Sequence, residues 1–97
     1  MILFRPEAAR EIAADVHYYD EKYPGRGQRF AGAVERTLAL IMEFPLGFPV
    51  LYDPDIRSAK VVRFPYRVVY VVVVSDIDVV AIAHAKRRPG YWRDRVA

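Results

Sequence analysis

Val68 to Val74 is a run of valines broken only by Tyr70. β-Branched side chains favour extended backbone, and an apolar run without alternation is buried on both faces, so the run predicts a central strand. Whatever else the chain does, it must build a sheet around this strand. Ser75-Asp76-Ile77-Asp78 is the polar interruption before Val79 to Ala85 resumes the apolar pattern. That spacing predicts a tight turn and an antiparallel return. Arg67 precedes the run and a basic, aromatic segment from His84 to Arg95 follows it, so both are predicted to meet at one end of the sheet.

A chain of 97 residues, 54% of them apolar, supports a single domain with one modest core. The longest apolar run falls far short of the roughly 20 residues that cross a bilayer, and Met1-Ile2-Leu3-Phe4 is too short for a signal-peptide core. A cytoplasmic protein with no membrane partner is the expectation. Without cysteine there are no disulfides or thiolate metal sites, and His17 and His84 are too far apart to form a metal motif. Neither a metal nor a cofactor is expected. The net charge of +3 hides a division: residues 1–56 carry 6 basic and 9 acidic side chains, residues 57–97 carry 9 basic and 3 acidic. The sheet half is therefore net +6 against −3, an asymmetry that favours an anionic partner.

Met1 to Phe4 suits an opening strand, and Pro6 suits the first position of a helix, where its missing N–H is no loss. Ala8, Ile12, Val16, Tyr19 and Tyr23 recur at helical spacing until Pro24-Gly25 ends the pattern. A second helix is predicted from about Gly27 to Glu43, with Phe30, Val34, Leu38 and Ile41 as its inner stripe and Arg29, Glu35, Arg36 and Glu43 outside. Phe44 to Pro54 reads as an irregular loop whose Leu46, Phe48 and Val50 tuck against the helices. Ile56 to Phe64 reads as the next strand, and Pro65 turns the chain into the central one. The fold class is α+β: a short N-terminal strand, an α-helical hairpin, a three-stranded antiparallel meander and a basic C-terminal tail. Because a helical hairpin covers one face of such a sheet, the other face needs the tail, a partner or a ligand.

Arg67 is the most informative position, because an unpaired guanidinium beside a buried strand must meet an anion or reach water. Two readings stand: a structural ion pair with an acid such as Asp78 or Asp94, which is the commoner arrangement, or an anion site. His84, Lys86, Arg87, Arg88, Tyr91, Trp92, Arg93 and Arg95 crowd cations, an imidazole and flat rings into one dozen residues. Nucleic-acid sites use that mixture, since cations neutralise phosphates and rings stack on bases. In a metal-independent RNase a cation stabilises the phosphorane while a histidine or tyrosine moves protons. The alternative is a solvated tail whose Tyr91 and Trp92 seal the core edge. Lys60 and Arg63 either extend the positive surface or guard an edge strand against aggregation. His17 reads as structural.

Three segments carry a resemblance: AAREIAADVHYYDEKYPGRGQRFAGAVERTLALIMEFP in the helices, RFPYRVVY on the central strand and HAKRRPGYWRDR at the end. In these the chain resembles the RelE/ParE superfamily of type II toxin–antitoxin toxins, especially the ParE-like branch often described as plasmid stabilisation proteins. The resemblance implies a growth-inhibiting toxin neutralised by a cognate antitoxin in a hetero-oligomer. It also implies that Arg67 and Arg87 match the arginines of ribosome-dependent RelE-type mRNA endoribonucleases, with Lys60 near one of their catalytic lysines. Ser58 stands where a second lysine falls, and Tyr91 is spaced differently from the RelE tyrosine. His84 and Tyr91-Trp92 instead look like the ParE pattern, whose best-known members poison DNA gyrase without cutting RNA. Three modes follow: binding of a target such as gyrase, cleavage of ribosome-bound mRNA, or a nontoxic RNA- or protein-binding module of the same fold. For the RNase mode the candidates are Arg67, Arg87, His84, Lys60 and Tyr91. For target or nucleic-acid binding they are Arg63, Arg67, Lys86, Arg87, Arg88, Tyr91, Trp92, Arg93 and Arg95.

Overall fold

Pro6 occupies the first turn of the first helix, where no backbone donor is needed, and so separates a short strand from a long helix within six residues. A computed structural model describes residues 1–96. In chain order the elements are β1 (Ile2–Phe4), α1 (Pro6–Lys22), α2 (Arg26–Glu43), β2 (Val50–Tyr52), β3 (Ile56–Lys60), β4 (Tyr66–Val73) and β5 (Asp76–His84), then a 3₁₀ turn over Arg93–Val96. The sheet order is β1-β5-β4-β3-β2, with β1 parallel to β5 and every other pair antiparallel. As the valine run requires, β4 lies in the middle.

The helices form an antiparallel hairpin because Gly25, at φ 86°, takes the left-handed conformation that reverses the chain. Gly27 then lets α2 approach α1 closely, since a Cβ there would lie 2.5 Å from the Val16 carbonyl. The Gly27 N–H donates to Asp20 at 2.8 Å, so α1 caps the start of α2. The predicted stripe of α2 is fully buried: Phe30, Val34, Leu38 and Ile41 pack with Tyr66, Val68 and Tyr70 of β4 on one sheet face. On α1, Ala8 and Tyr19 are buried and Ile12 and Val16 partly so, whereas Tyr23 ends the helix as an exposed cap.

The opposite sheet face is closed by the C-terminal tail. Trp92, 2% exposed, packs on Ile56, Val69, Val80 and Ala81, with Tyr52, Tyr91 and Val96 around it. Both faces are thus occupied at the tail end of the sheet, while Val73 at the far end stays exposed.

Four local expectations change. The loop over 44–54 contains the edge strand β2, and of Leu46, Phe48 and Val50 only Phe48 packs on the core, leaving Leu46 and Val50 exposed. The loop backbone is what points inward, because Arg57 donates to the Leu46 and Phe48 carbonyls and the Tyr70 hydroxyl to that of Pro45. β3 ends at Lys60 rather than Phe64, where Arg63 takes a positive φ of 71° in the following turn. The β4–β5 turn lies at Val74-Ser75, so Asp76 and Asp78 belong to the strand. They are polar because β1 is beside them: Asp76 binds the N-terminal amine and Asp78 pairs with Arg5, both at 3.0 Å or less.

Candidate functional site

Directly across the β3–β4 ladder, Lys60 is the register partner of Arg67. Period-two alternation puts both on the tail face with Ser58 and Val69. Like charges opposite one another destabilise a sheet, so this pair has an electrostatic cost unless an anion lies between or above them. No ion pair relieves it among the described residues, since Asp78 is taken by Arg5 and Arg67 donates only to the buried Ser58 hydroxyl at 3.2 Å. The ion-pair reading of Arg67 therefore fails on geometry.

The two cations stand at the mouth of an open pocket of about 410 Å³ floored by Val69 and Ala83. Leu51 and Tyr52 of β2 form one wall, and Ala85 with residues 87–92 of the tail form the other. Arg87 and Arg88 bring the lining to four cations, with His84 at the rim and no carboxylate. The net charge of such a lining is positive, so its local potential favours an anion over a cation.

Beside the packing of Trp92, one carboxylate clamps the tail. β1 stops at Phe4, opposite Val79, so the β5 edge beyond it lacks a strand partner. Glu11 of α1 fills the gap: its oxygens accept the Ile82 N–H at 3.0 Å, the Tyr91 hydroxyl at 2.6 Å and two Arg95 guanidinium N–H groups at 3.0 Å. Arg95 also donates to the Val80 carbonyl at 3.1 Å, and Arg5 donates to the Arg95 carbonyl. Burial raises the Glu11 pKa, but the hydrogen bonds from Arg95, Tyr91 and Ile82 outweigh it and hold the carboxyl below its ordinary value. Burial and the neighbouring Glu11 push the Tyr91 phenol up.

The predicted site residues separate into three groups. Lys60, Arg67, Arg87, Arg88, Tyr91, Trp92 and His84 line the pocket. Lys86 lines instead a depression on the helix side, with Glu11, Asp15 and Tyr66. Arg63 lies in the β3–β4 turn beside α2, Arg93 stacks on the Tyr52 ring at 4.6 Å, and Arg95 belongs to the Glu11 clamp. His84 pairs with Tyr66 across β4–β5 and meets its ring edge-on at 4.8 Å, so its imidazole sits on the helix face, opposite to Arg67. Its Nδ1 accepts the Lys86 N–H at 3.0 Å, which assigns the proton of the neutral ring to Nε2.

Base stacking finds no platform here. The Tyr91 ring has Arg87 over it at 3.9 Å and Arg95 at 5.2 Å, the Tyr52 ring is taken by Trp92 and Arg93, and Trp92 is buried. Sequence reasoning missed Glu11 and the Leu51-Tyr52 wall. Glu11 shows only as one polar residue of an amphipathic helix, and the wall depends on a strand too short to leave a pattern.

The family model for the ParE toxin of type II toxin–antitoxin systems matches residues 2–89, nearly the whole chain. The chain belongs to the ParE toxin family. Its fold is shared with a protein of the chromosomal ParDE TA system from P. aeruginosa, at a TM-score of 0.76 and 15% identity, over 88% of this chain and 95% of that one. The isolated E. coli RelE toxin superposes at a TM-score of 0.63 and 20% identity, over 100% and 98% of the two chains. No curated protein matches by sequence. The ParE-family helices also carry no membrane span: among the described residues, none is long and apolar enough to cross a bilayer.

Proposed function

We propose that this ParE-family chain is the toxin of a type II system, held inactive by a cognate antitoxin, and that it acts by binding an essential target rather than by cutting RNA. DNA gyrase is the leading target. The observation that carries the reading is the unrelieved Lys60–Arg67 pair in a pocket that Arg87 and Arg88 extend without a single carboxylate. Such a pocket is built to receive an acidic surface.

Two placements favour binding over RNA cleavage. Tyr91 would have to donate a proton, yet its hydroxyl is committed to Glu11 and its pKa is raised, which makes it a poor acid. His84 stands on the other sheet face from Arg67, so an imidazole and a phosphate-holding guanidinium do not converge. With the ring faces already covered, unpaired bases also gain little from entering.

Induction of the chain without its antitoxin should arrest growth, and co-expression of the antitoxin should restore it. The purified protein should inhibit gyrase supercoiling and leave ribosome-bound mRNA intact. Lys60→Gln combined with Arg67→Gln should abolish both arrest and gyrase inhibition while the protein still folds. Cleavage of ribosome-bound mRNA by the wild type, or full toxicity of the double variant, would overturn the reading.

A further inference from the structure

A second cationic surface lies on the helix side of the same sheet end. An open groove of about 980 Å³ runs between α2 and the β3–β4 turn, and Arg26, Arg29, Arg36 and Arg63 line it with no carboxylate. None of the four arginines is ion-paired among the described residues. Arg29 and Arg36 are seven residues apart on α2, two turns along one face, which sets them about 10 Å apart along the axis. Gly32 stands between them in the groove lining.

Arg26 is held in place by rings. Its guanidinium lies 5.3–5.6 Å from the centres of the Tyr19, Tyr23 and Phe64 rings, and its Nε is buried without a hydrogen-bond partner. Arg26 is thus a half-buried cation fixed against aromatic faces and without an ion-pair partner among the described residues.

We propose that this groove docks an acidic protein segment, whose carboxylates pair with Arg29, Arg36 and Arg63 around the fixed charge of Arg26. Planar guanidinium forks match carboxylates bidentately. A protein segment fits better than a nucleic-acid strand because the apolar rim suits side chains: Val62 is 65% exposed beside Arg63. The rings closest to the cations already carry Arg26, and none but Phe64 lines the groove. The groove shares no lining residue with the target pocket, and its occupancy does not depend on the target assigned to that pocket.

Amide chemical-shift mapping of the whole chain tests the proposal, with oligo-glutamate and oligo-dT titrated separately. Oligo-glutamate should shift the Gly32, Val62 and Arg63 amides saturably. Arg29→Gln with Arg36→Gln, both exposed positions, should weaken that binding about tenfold or more without altering the rest of the spectrum. Shifts confined to residues 85–92, or none at all, would overturn it. Tighter binding of oligo-dT at the same amides would replace the acidic segment with a nucleic acid and so overturn it too.

Discussion

Glu11→Ala removes the carboxylate that clamps the tail to α1 and β5 beside the Trp92 anchor. The side chains of Glu11 and Arg95 are only 13% and 15% exposed, so deleting the acid strands a nearly buried guanidinium and leaves the Ile82 N–H and the Tyr91 hydroxyl without acceptors. Breaking a buried ion pair from one side costs about 3–5 kcal/mol, a large share of the stability of a chain this size. With a urea slope of about 1.5 kcal/mol/M, the unfolding midpoint should fall by roughly 2–3 M. Protease should then cut within residues 85–96, and target binding should weaken because the tail is a wall of the pocket. Arg95→Ala and the double variant complete a cycle in which coupling of at least about 1 kcal/mol is expected. The acid limb follows the same linkage. Folded Glu11 has a depressed pKa, so the unfolded chain takes up the proton first. Its stabilisation is complete above the unfolded value of about 4.3 and is lost as pH falls through the lower folded one. A midpoint shift under about 0.5 M with an unchanged slope, and a tail still protected, would refute the clamp.

Three further substitutions test the surrounding construction. Val74→Gly should stabilise by about 1 kcal/mol in urea melts, because Val74 holds φ 58° at the β4–β5 turn, where a β-branched residue is strained, and its side chain is 96% exposed with nothing to lose. Trp92→Ala should cost about 3–5 kcal/mol and release the tail, seen as loss of protease protection, since the indole is the centre of the second core. Asp15→Asn should raise the melting temperature near neutral pH and not in acid. Burial lifts the Asp15 pKa despite the hydrogen bond from Tyr66, so the folded state carries an ionised carboxylate poorly, and that cost sets in as pH rises past the unfolded value of about 3.9.

Much of the fold is legible because its signals are local. The β-branched run of Val68 to Val74 fixes β4, Pro6 fixes the start of α1, and the stripe of Phe30, Val34, Leu38 and Ile41 needs only helical periodicity. The pocket is legible in part: Lys60, Arg67, Arg87 and Arg88 are cations flanking predicted strands. What sequence does not show is pairing across distance. Nothing local tells that Asp78 serves Arg5 rather than Arg67, or that Glu11 reaches Arg95. The arginines of α2 read as a solvated helix face until the β3–β4 turn is seen to bring Arg63 beside them.

The deepest of these non-local features is a bulge in β5. The β4–β5 register slips between Val69 and Tyr70, whose partners are Ala81 and Val79, so Val80 is the extra residue. Val80 and Ala81 therefore both face Trp92, while Val79 and Ile82 on either side face the helices. Strict alternation from Val79 would have carried His84 to the tail face, among Lys60 and Arg67, where it could have moved a proton to or from a bound phosphate ester. The inserted residue instead turns His84 onto Tyr66. It also bends the strand where Glu11 and Arg95 take up the unpaired Ile82 N–H and Val80 carbonyl. One residue thus seats Trp92 against two successive side chains of β5 and sets the His84 imidazole and the Arg67 guanidinium on opposite faces of the sheet.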